Sequence, residues 1–372
     1  MAYNNIPIAA IDLFCGAGGL SLGLENSGIP VLLGIENNHI AAQTYRNNQT
    51  GCIIEDDIRN ISVDDIYNRI NIGKNELLLL AGCPPCQTFS SLQKADAQDD
   101  DRNYLIFEYV RLVNELRPLF ILMENVPGLK GGRGKNIFKQ VLSNMSEQYV
   151  IVSEVLNCAD FGIRQCRKRL VLHGIRRDAF DLLQKNIKDF SVTLPKATHS
   201  ENPSANSDTS EWVSSESAFA DLPPVKAGDP APDGFPNHET AGLTDINLKR
   251  IQYIQAHGGS RTCLPPELQL SCHQKANVGY TGVYGIIDPS KPAPTITGGC
   301  ITFSKGRYGH PYQPRAITVR EAARLQSFPD TYVFYGNRAQ TALQVGNAIP
   351  PHLAEESGKY FLNILNILHQ IP

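Results

Sequence analysis

Between Ile8 and Ile175 short apolar runs alternate with amphipathic stretches, and this alternation constrains the fold more than any other feature of the chain. A repeat of that kind folds as a parallel sheet with helices covering both faces. The expected strands are Ile8–Phe14, Val31–Glu36, Leu77–Ala81, Phe120–Glu124, Val150–Val155 and Leu170–Ile175. The expected helices are Leu20–Ser27, His39–Arg46, Ser62–Ile70, Tyr104–Leu116 and Lys135–Met145, and Ser62 with Asp65 has the spacing of a capping box. From about Phe190 to Pro314 the composition turns to Pro, Gly, Ser, Thr and Asn, and no helical period persists beyond Asn247–Gln255. That stretch reads as a second, irregular domain or a large insertion. Helical signal returns at Thr318-Val319-Arg320-Glu321, a second capping box, and stops before Pro329. The expected class is α/β: a doubly wound, mostly parallel sheet over residues 1–188, a smaller irregular domain over 189–314, and a segment 315–372 that returns to the first domain.

A chain of 372 residues with 42% apolar content can bury a substantial core. No apolar run approaches the roughly 18 residues that span a bilayer, and the first residues lack the features of a secretion signal, so a cytosolic protein is expected. Nine cysteines are too few for a disulfide scaffold in a chain of this length and read as reduced thiols, one of them a candidate for reactivity. A formal net charge of −3 argues against a wholly cationic nucleic-acid binder, so a basic face has to be local.

The first strand runs into Asp12-Leu13-Phe14-Cys15-Gly16-Ala17-Gly18-Gly19-Leu20, a glycine-rich turn where an open α/β sheet binds its ligand. Glu36, about twenty residues on, closes the second strand, where a carboxylate can accept both hydroxyls of a ribose. Asp56-Asp57-Ile58 follows a third apolar stretch and offers an acceptor for an adenine amino group. The glycines are not spaced G-x-G-x-x-G, which favours S-adenosylmethionine over a nicotinamide dinucleotide.

Another strand ends in Cys83-Pro84-Pro85-Cys86-Gln87, and two prolines stiffen the loop that presents Cys86 at the carboxyl edge of the sheet. A thiolate there is a nucleophile. A redox pair with Cys83, half of a zinc site with Cys263, Cys272 or His273, and an inert thiol are the competing readings. The polar, turn-like run after the prolines and the irregular spacing of the other ligands disfavour the first two, and no metal is expected. Glu124, between apolar residues and Pro127 on the next strand, reads as a desolvated carboxyl able to deliver a proton. Gln165, Arg167 and Arg169 alternate and share one face of an extended segment, where they can grip a polyanion or a carbonyl oxygen.

These blocks, with Arg320-Glu321-Ala322-Ala323-Arg324-Leu325-Gln326 and Gln344-Val345-Gly346-Asn347-Ala348-Ile349-Pro350-Pro351, resemble the DNA (cytosine-5)-methyltransferase family in its bacterial restriction-modification form. Arg164 departs from the proline usual there. The resemblance covers Ile8–Ile175 and Lys291–Ala354 and implies a Rossmann-like methyltransferase fold with a target-recognition domain. It implies that Cys86 adds to carbon 6 of a flipped cytosine, that Glu124 holds and protonates the ring nitrogen, and that Arg167, with Arg169 behind it, holds the cytosine carbonyl and the catalytic loop. The cofactor implied is S-adenosylmethionine, at Phe14, Gly16, Gly18, Leu20, Glu36, Asn37, Asp57, Ile58, Pro85, Leu105, Asn347 and Ala348. DNA contacts fall to Gln87, Ser90 and Gln165, with Arg250, Arg261, His273, Lys275 and Arg307 as further candidates, and Trp212 reads as packing.

The partners implied are double-stranded DNA and a separately acting cognate restriction endonuclease. A monomer, associated with the nucleoid and with no membrane, is expected. Other readings are a tRNA methyltransferase, whose Cys-Phe-Thr block is absent, an inactive DNA-binding paralogue, and a nicotinamide oxidoreductase. An inactive paralogue would be expected to have lost the nucleophile or the acid, and both Cys86 and Glu124 are present.

Overall fold

The computed structural model describes residues 8–70, 79–85, 104–205, 207–274 and 282–371. In chain order these form β1 (Ala10–Leu13), α1 (Gly19–Ser27), β2 (Val31–Ile35), α2 (His39–Asn48), β3 (Cys52–Ile54), α3 (Val63–Ile70), β4 (Leu79–Gly82), α4 (Leu105–Leu116), β5 (Phe120–Asn125), α5 (Lys135–Met145), β6 (Tyr149–Asn157), β7 (Gln165–Cys166), β8 (Lys168–Arg176) and α6 (Arg177–Asn186). Then follow two short strands, β9 (His199–Ser200) and β10 (Ser210–Glu211), α7 (Asp245–Ala256), β11 (Ala293–Pro294), α8 (Val319–Leu325), α9 (Arg338–Asn347) and α10 (Pro351–Gln370). Among the described residues no helix is long and apolar enough to cross a membrane.

Two compact units divide the chain: Met1–Asn157 with Lys168–Ala197 and Ile349–Pro372, and Cys158–Arg167 with Thr198–Ala348. The first unit holds a seven-stranded sheet in the order β3-β2-β1-β4-β5-β8-β6. Neighbours from β3 to β5 pair in parallel, while β8 runs antiparallel to both β5 and β6. The sheet is therefore mostly parallel with one reversed strand. From β1 the chain winds outward through β2 to β3, then returns to lay β4 on the other side of β1. The winding reverses between β1 and β4, and in an open sheet the crevice beyond the carboxyl ends at such a reversal is where ligands bind.

The central strands are buried on both faces, so they read as unbroken apolar runs rather than alternating ones. Ile11, Leu13, Leu80, Ile121 and Met123 meet Ile106, Tyr109, Val113 and Phe138 of the covering helices. Burial of a side chain of this kind is worth about 1.5–3 kcal/mol. On α1, Gly23 lets α10 approach, because a Cβ there would collide with the Pro351 carbonyl and lie 2.5 Å from Ala354 Cβ. The Ser62 capping box is formed, Asp65 N donating to Ser62 Oγ at 3.2 Å and Ser62 N to Asp65 Oδ2 at 2.9 Å.

In the second unit the helical return seen after Pro314 does not lead straight back to the sheet: the chain re-enters the first unit at Ile349. Buried cations hold the intervening residues. Arg315 makes a bidentate pair with Glu321, at 2.9 and 2.6 Å. Arg320 donates to the carbonyls of Pro236, Pro329 and Tyr332. Residues 158–167 join this unit for a similar reason, since Cys158 N donates to Arg167 O, Thr198 N to Asp160 O and Ala293 N to Arg164 O.

Candidate active site

The turn after β1 is built from left-handed backbone: φ is 57° at Phe14, 54° at Gly16 and 88° at Gly18. Glycine at two of these positions removes the steric penalty. Cys15 N donates to Ile35 O at 3.1 Å and Gly18 N to Cys15 O at 2.8 Å, which seats the turn on the end of β2. A Cβ at Gly16 would meet no described atom within 4 Å, so open space faces the backbone there. Glu36 completes the turn, its Oε2 accepting from Gly16 N at 2.9 Å and its Oε1 from Asn38 N at 2.8 Å. Burial pushes this carboxyl above its usual range, against the backbone donors. Each oxygen keeps a further lone-pair direction for a hydroxyl.

Behind the turn lies a polar cluster that sequence reasoning missed. Asp12 is fully buried in β1, and its Oδ2 accepts from Ser21 Oγ at 2.7 Å. Ser21 lies 3.2 Å from the Tyr45 hydroxyl. Burial pushes the Asp12 carboxyl up to about 7. The signal available was a lone acid inside an otherwise apolar strand.

At the neighbouring edge, the Asn125 amide donates to Pro84 O at 2.9 Å and so ties β5 to the segment leading into Cys86. Glu124, 8% exposed, faces Arg169, whose Nε stands 2.8 Å from Oε1. Glu124 is opposite Val171 in the β5 and β8 ladder, and Arg169 two residues away points to the same face. The sequence placed Glu124 among apolar neighbours alone; the structure gives it a cationic partner as well. Cys86, Gln87, Ser90 and Lys275 lie outside the described residues, as does the rest of Ser90–Asn103.

Other expected site residues divide. Pro85 is half-buried beside Pro84, Leu105 opens α4, and Asn37 follows Glu36. Leu20 and Ile58 are buried in the core, so a ligand would meet their backbone or one edge. The Asp57 carboxylate is held by Arg59, with Nε at 2.9 Å and NH2 at 2.6 Å. Asn347 and Ala348 belong to the second unit, Asn347 exposed at the end of α9.

Two of the expected contact residues are turned into the protein. Gln165, expected to touch DNA, is fully buried: its Nε2 donates to Gln326 Oε1 at 2.9 Å and its Oε1 accepts from Ile296 N at 2.7 Å. Arg167, expected at a cytosine carbonyl, is 1% exposed and donates to the carbonyls of Ile296 (2.7 Å), Gly346 (2.9 Å) and Ala348 (3.0 Å). Both therefore brace the second unit. Alternation placed them on one shared face, and in the structure that face meets main chain and the Gln326 side chain. Arg250 and Arg261 are buried too, Arg250 capping Leu268 O at 2.7 Å. His273 packs edge-on against Tyr284, and Arg307 is exposed. Trp212 Nε1 donates to Asp160 at 2.9 Å, a packing position.

Comparison with known proteins places this geometry. The family model described as C-5 cytosine-specific DNA methylase matches residues 8–362. A type II methylase of Herpetosiphon aurantiacus, M.HgiDII, is 33% identical over 97% of this chain and 97% of its own length. A type II methyltransferase of Haemophilus parahaemolyticus, M1.HphI, is also 33% identical, over 94% of this chain and 85% of its own. Among solved structures, a chain described as a DNA modification methyltransferase encoded within an E. coli prophage superposes with a TM-score of 0.68 at 25% identity, covering 96% of this chain and 99% of that one. The S. pombe Dnmt2 methyltransferase shares the fold, with a TM-score of 0.57 at 16% identity, covering 97% and 99%.

Proposed function

The chain belongs to the C-5 cytosine-specific DNA methylases, and from that premise we propose that it methylates carbon 5 of a flipped cytosine within a specific duplex sequence, through a covalent adduct on Cys86. The observation that carries this reading is the reversal of winding between β1 and β4, which sets the glycine-rich turn beside the loop leading into Cys86, with Glu124 on the next strand.

The residues fit S-adenosylmethionine: open backbone at Gly16, and a Glu36 carboxylate with lone pairs to spare for a ribose. When bound, that cofactor supplies an electrophilic methyl group on a sulfonium. Phe14, Gly16, Gly18, Leu20, Glu36, Asn37, Asp57, Ile58, Pro85 and Leu105 would hold it. A cytosine inside a duplex is beyond the reach of a thiolate, so the base leaves the stack at a cost of a few kcal/mol. The Cys86 thiolate adds to carbon 6, and Glu124 gives its proton to the ring nitrogen as charge arrives there. Arg169 stabilises the carboxylate left behind and, with NH1 on Lys168 O and Nε on Glu124, keeps donors for the cytosine oxygen. Carbon 5 would then take the methyl group, loss of its proton to water restores the ring double bond and expels the thiolate, and the ring nitrogen returns its proton to Glu124.

Relatives named as type II methylases favour a place in a restriction-modification system, with a cognate endonuclease acting separately on the same site, inside the cytoplasm. The test is bisulfite sequencing of DNA from a methylation-free host expressing the chain. Protected cytosines in one sequence context are the expected result. Uniform conversion, with the protein folded and abundant, refutes the reading.

A further inference from the structure

Residues 302–309 of the second unit form a braced loop. Tyr284 N donates to Phe303 O at 3.1 Å, Gly309 N to Gly285 O at 2.9 Å and Ile287 N to Gly309 O at 3.0 Å. The Tyr308 hydroxyl donates to Thr295 O at 3.0 Å, and the buried Phe303 ring packs edge-on against Tyr284. Two exposed cationic side chains leave this loop, Lys305 and Arg307.

Each stem lies on a glycine. A Cβ at Gly299 would stand 2.8 Å from Lys305 Cδ, and one at Gly285 would collide with Arg307 Cγ. Between them Gly306 is fully extended, with φ 177°, which spaces the flanking Cα atoms about 7 Å apart. Among the described residues neither head group has a hydrogen-bond or ion-pair partner. Long basic side chains ordinarily lose much rotamer freedom when fixed by a ligand. Stems already packed on the protein lose less, so two like charges stand presented on a stiff platform where self-contained packing would have paired them. Of the other basic candidates of this unit, Arg250 and Arg261 are buried.

We infer that Lys305 and Arg307 together contact consecutive phosphates of the DNA backbone, with Gly299 and Gly285 serving as the seats that orient them. The inference rests on the reading of the protein as a DNA methyltransferase and assigns part of its DNA interface. Backbone contacts of this kind carry register and affinity rather than sequence.

The experiment is fluorescence anisotropy with the duplex found by bisulfite sequencing, over a salt series, for the full chain and for K305A/R307A. The double variant is expected to bind at least ten-fold more weakly at low salt, with the slope of log affinity against log salt reduced by about 1.8, or 0.9 per phosphate. Its thermal stabilisation by S-adenosylmethionine should match the wild type, which shows the fold intact. Gly285→Ala keeps every charge but unseats Arg307, and should bind several-fold more weakly. Unchanged affinity and slope in the double variant overturn the inference. So does lost discrimination between sites with an unchanged slope, which makes the pair base readers. Wild-type affinity in the Gly285 variant removes the seat from the argument. A wild-type protein that binds the cofactor but no duplex defeats the reading of function instead.

Discussion

Replacing Glu321 by Gln should cost about 3–5 kcal/mol of stability, the usual penalty for removing one partner of a buried ion pair. Arg315 and Glu321 are each 1% exposed, and charge centres about 4 Å apart attract by about 4 kcal/mol at an effective dielectric near 20. Glu321 Oε2 also accepts from Thr318 N at 2.8 Å, closing the capping box of α8. A Gln amide has one oxygen for these donors and must turn its NH2 toward either the guanidinium or the helix N-cap. Urea unfolding followed by the fluorescence of Trp212, the single tryptophan and a residue of the same unit, measures the loss. Burial raises the Glu321 pKa, but the bonds from Arg315 and His310 outweigh it and hold the carboxyl well below the usual range. A depressed folded pKa contributes stability that is complete above the unfolded value and fades as pH falls below it. The gap between wild type and variant should therefore narrow from about pH 4.5 downward. A double change to Arg315→Met with Glu321→Leu should cost less than the single change, since no charge is left stranded. A Gln variant within 1 kcal/mol of wild type, or a gap indifferent to pH from neutrality to about 3.5, refutes the reasoning.

Asp12 should behave in the opposite sense: its folded pKa, about 7, lies above the unfolded one, so its contribution is complete in acid and is lost as pH rises through 7. Melting curves from pH 4 to 7.5 should show Asp12→Asn gaining on wild type, because the unfolded carboxyl ionises near 3.8 and the folded one near 7, and a falling difference would refute the burial argument. Cys86→Ser should abolish methyl transfer while titration calorimetry finds cofactor affinity nearly intact. Glu124→Gln should slow single-turnover transfer by about 10²–10⁴, the usual worth of general acid help, and an unchanged rate removes Glu124 from the chemistry. Arg167→Ala should lower the unfolding free energy by about 2–4 kcal/mol through its three orphaned carbonyls, whereas Arg169→Ala should cut turnover and also lower the melting temperature, since it strands the nearly buried Glu124 carboxylate.

Much of the sheet was legible because buried parallel strands are written as apolar runs bounded by turns. Val31–Ile35 and Phe120–Asn125 match expectation to within a residue. β3, with three residues, is too short to carry a period, and α6 opens on Arg177 with no side-chain cap to announce it. The capping boxes at Ser62 and Thr318 were legible because each rests on two residues three apart, which is local information. What the sequence could not show is what a side chain meets across the fold. Asn125 on Pro84, Arg315 on Glu321 and Ser21 on Asp12 are polar pairs made by topology, and the residue types alone fit many partners.

The two arginines on either side of Lys168 show why a shared face does not imply a shared role. Both keep the two-residue period of an extended chain, yet the boundary between the compact units falls between them. On one side, Arg167 finds unpaired carbonyls at Ile296, Gly346 and Ala348, and a buried guanidinium cannot leave three such acceptors for a substrate without stranding them. On the other, β8 holds Arg169 against the strand that carries Glu124, where one carboxylate and one carbonyl use only part of a five-donor fork. The residue with donors to offer is thus the one whose neighbour is the proposed acid. On the proposed function, chemistry at the cytosine falls to Arg169, while Arg167 keeps the backbone around Asn347 in place.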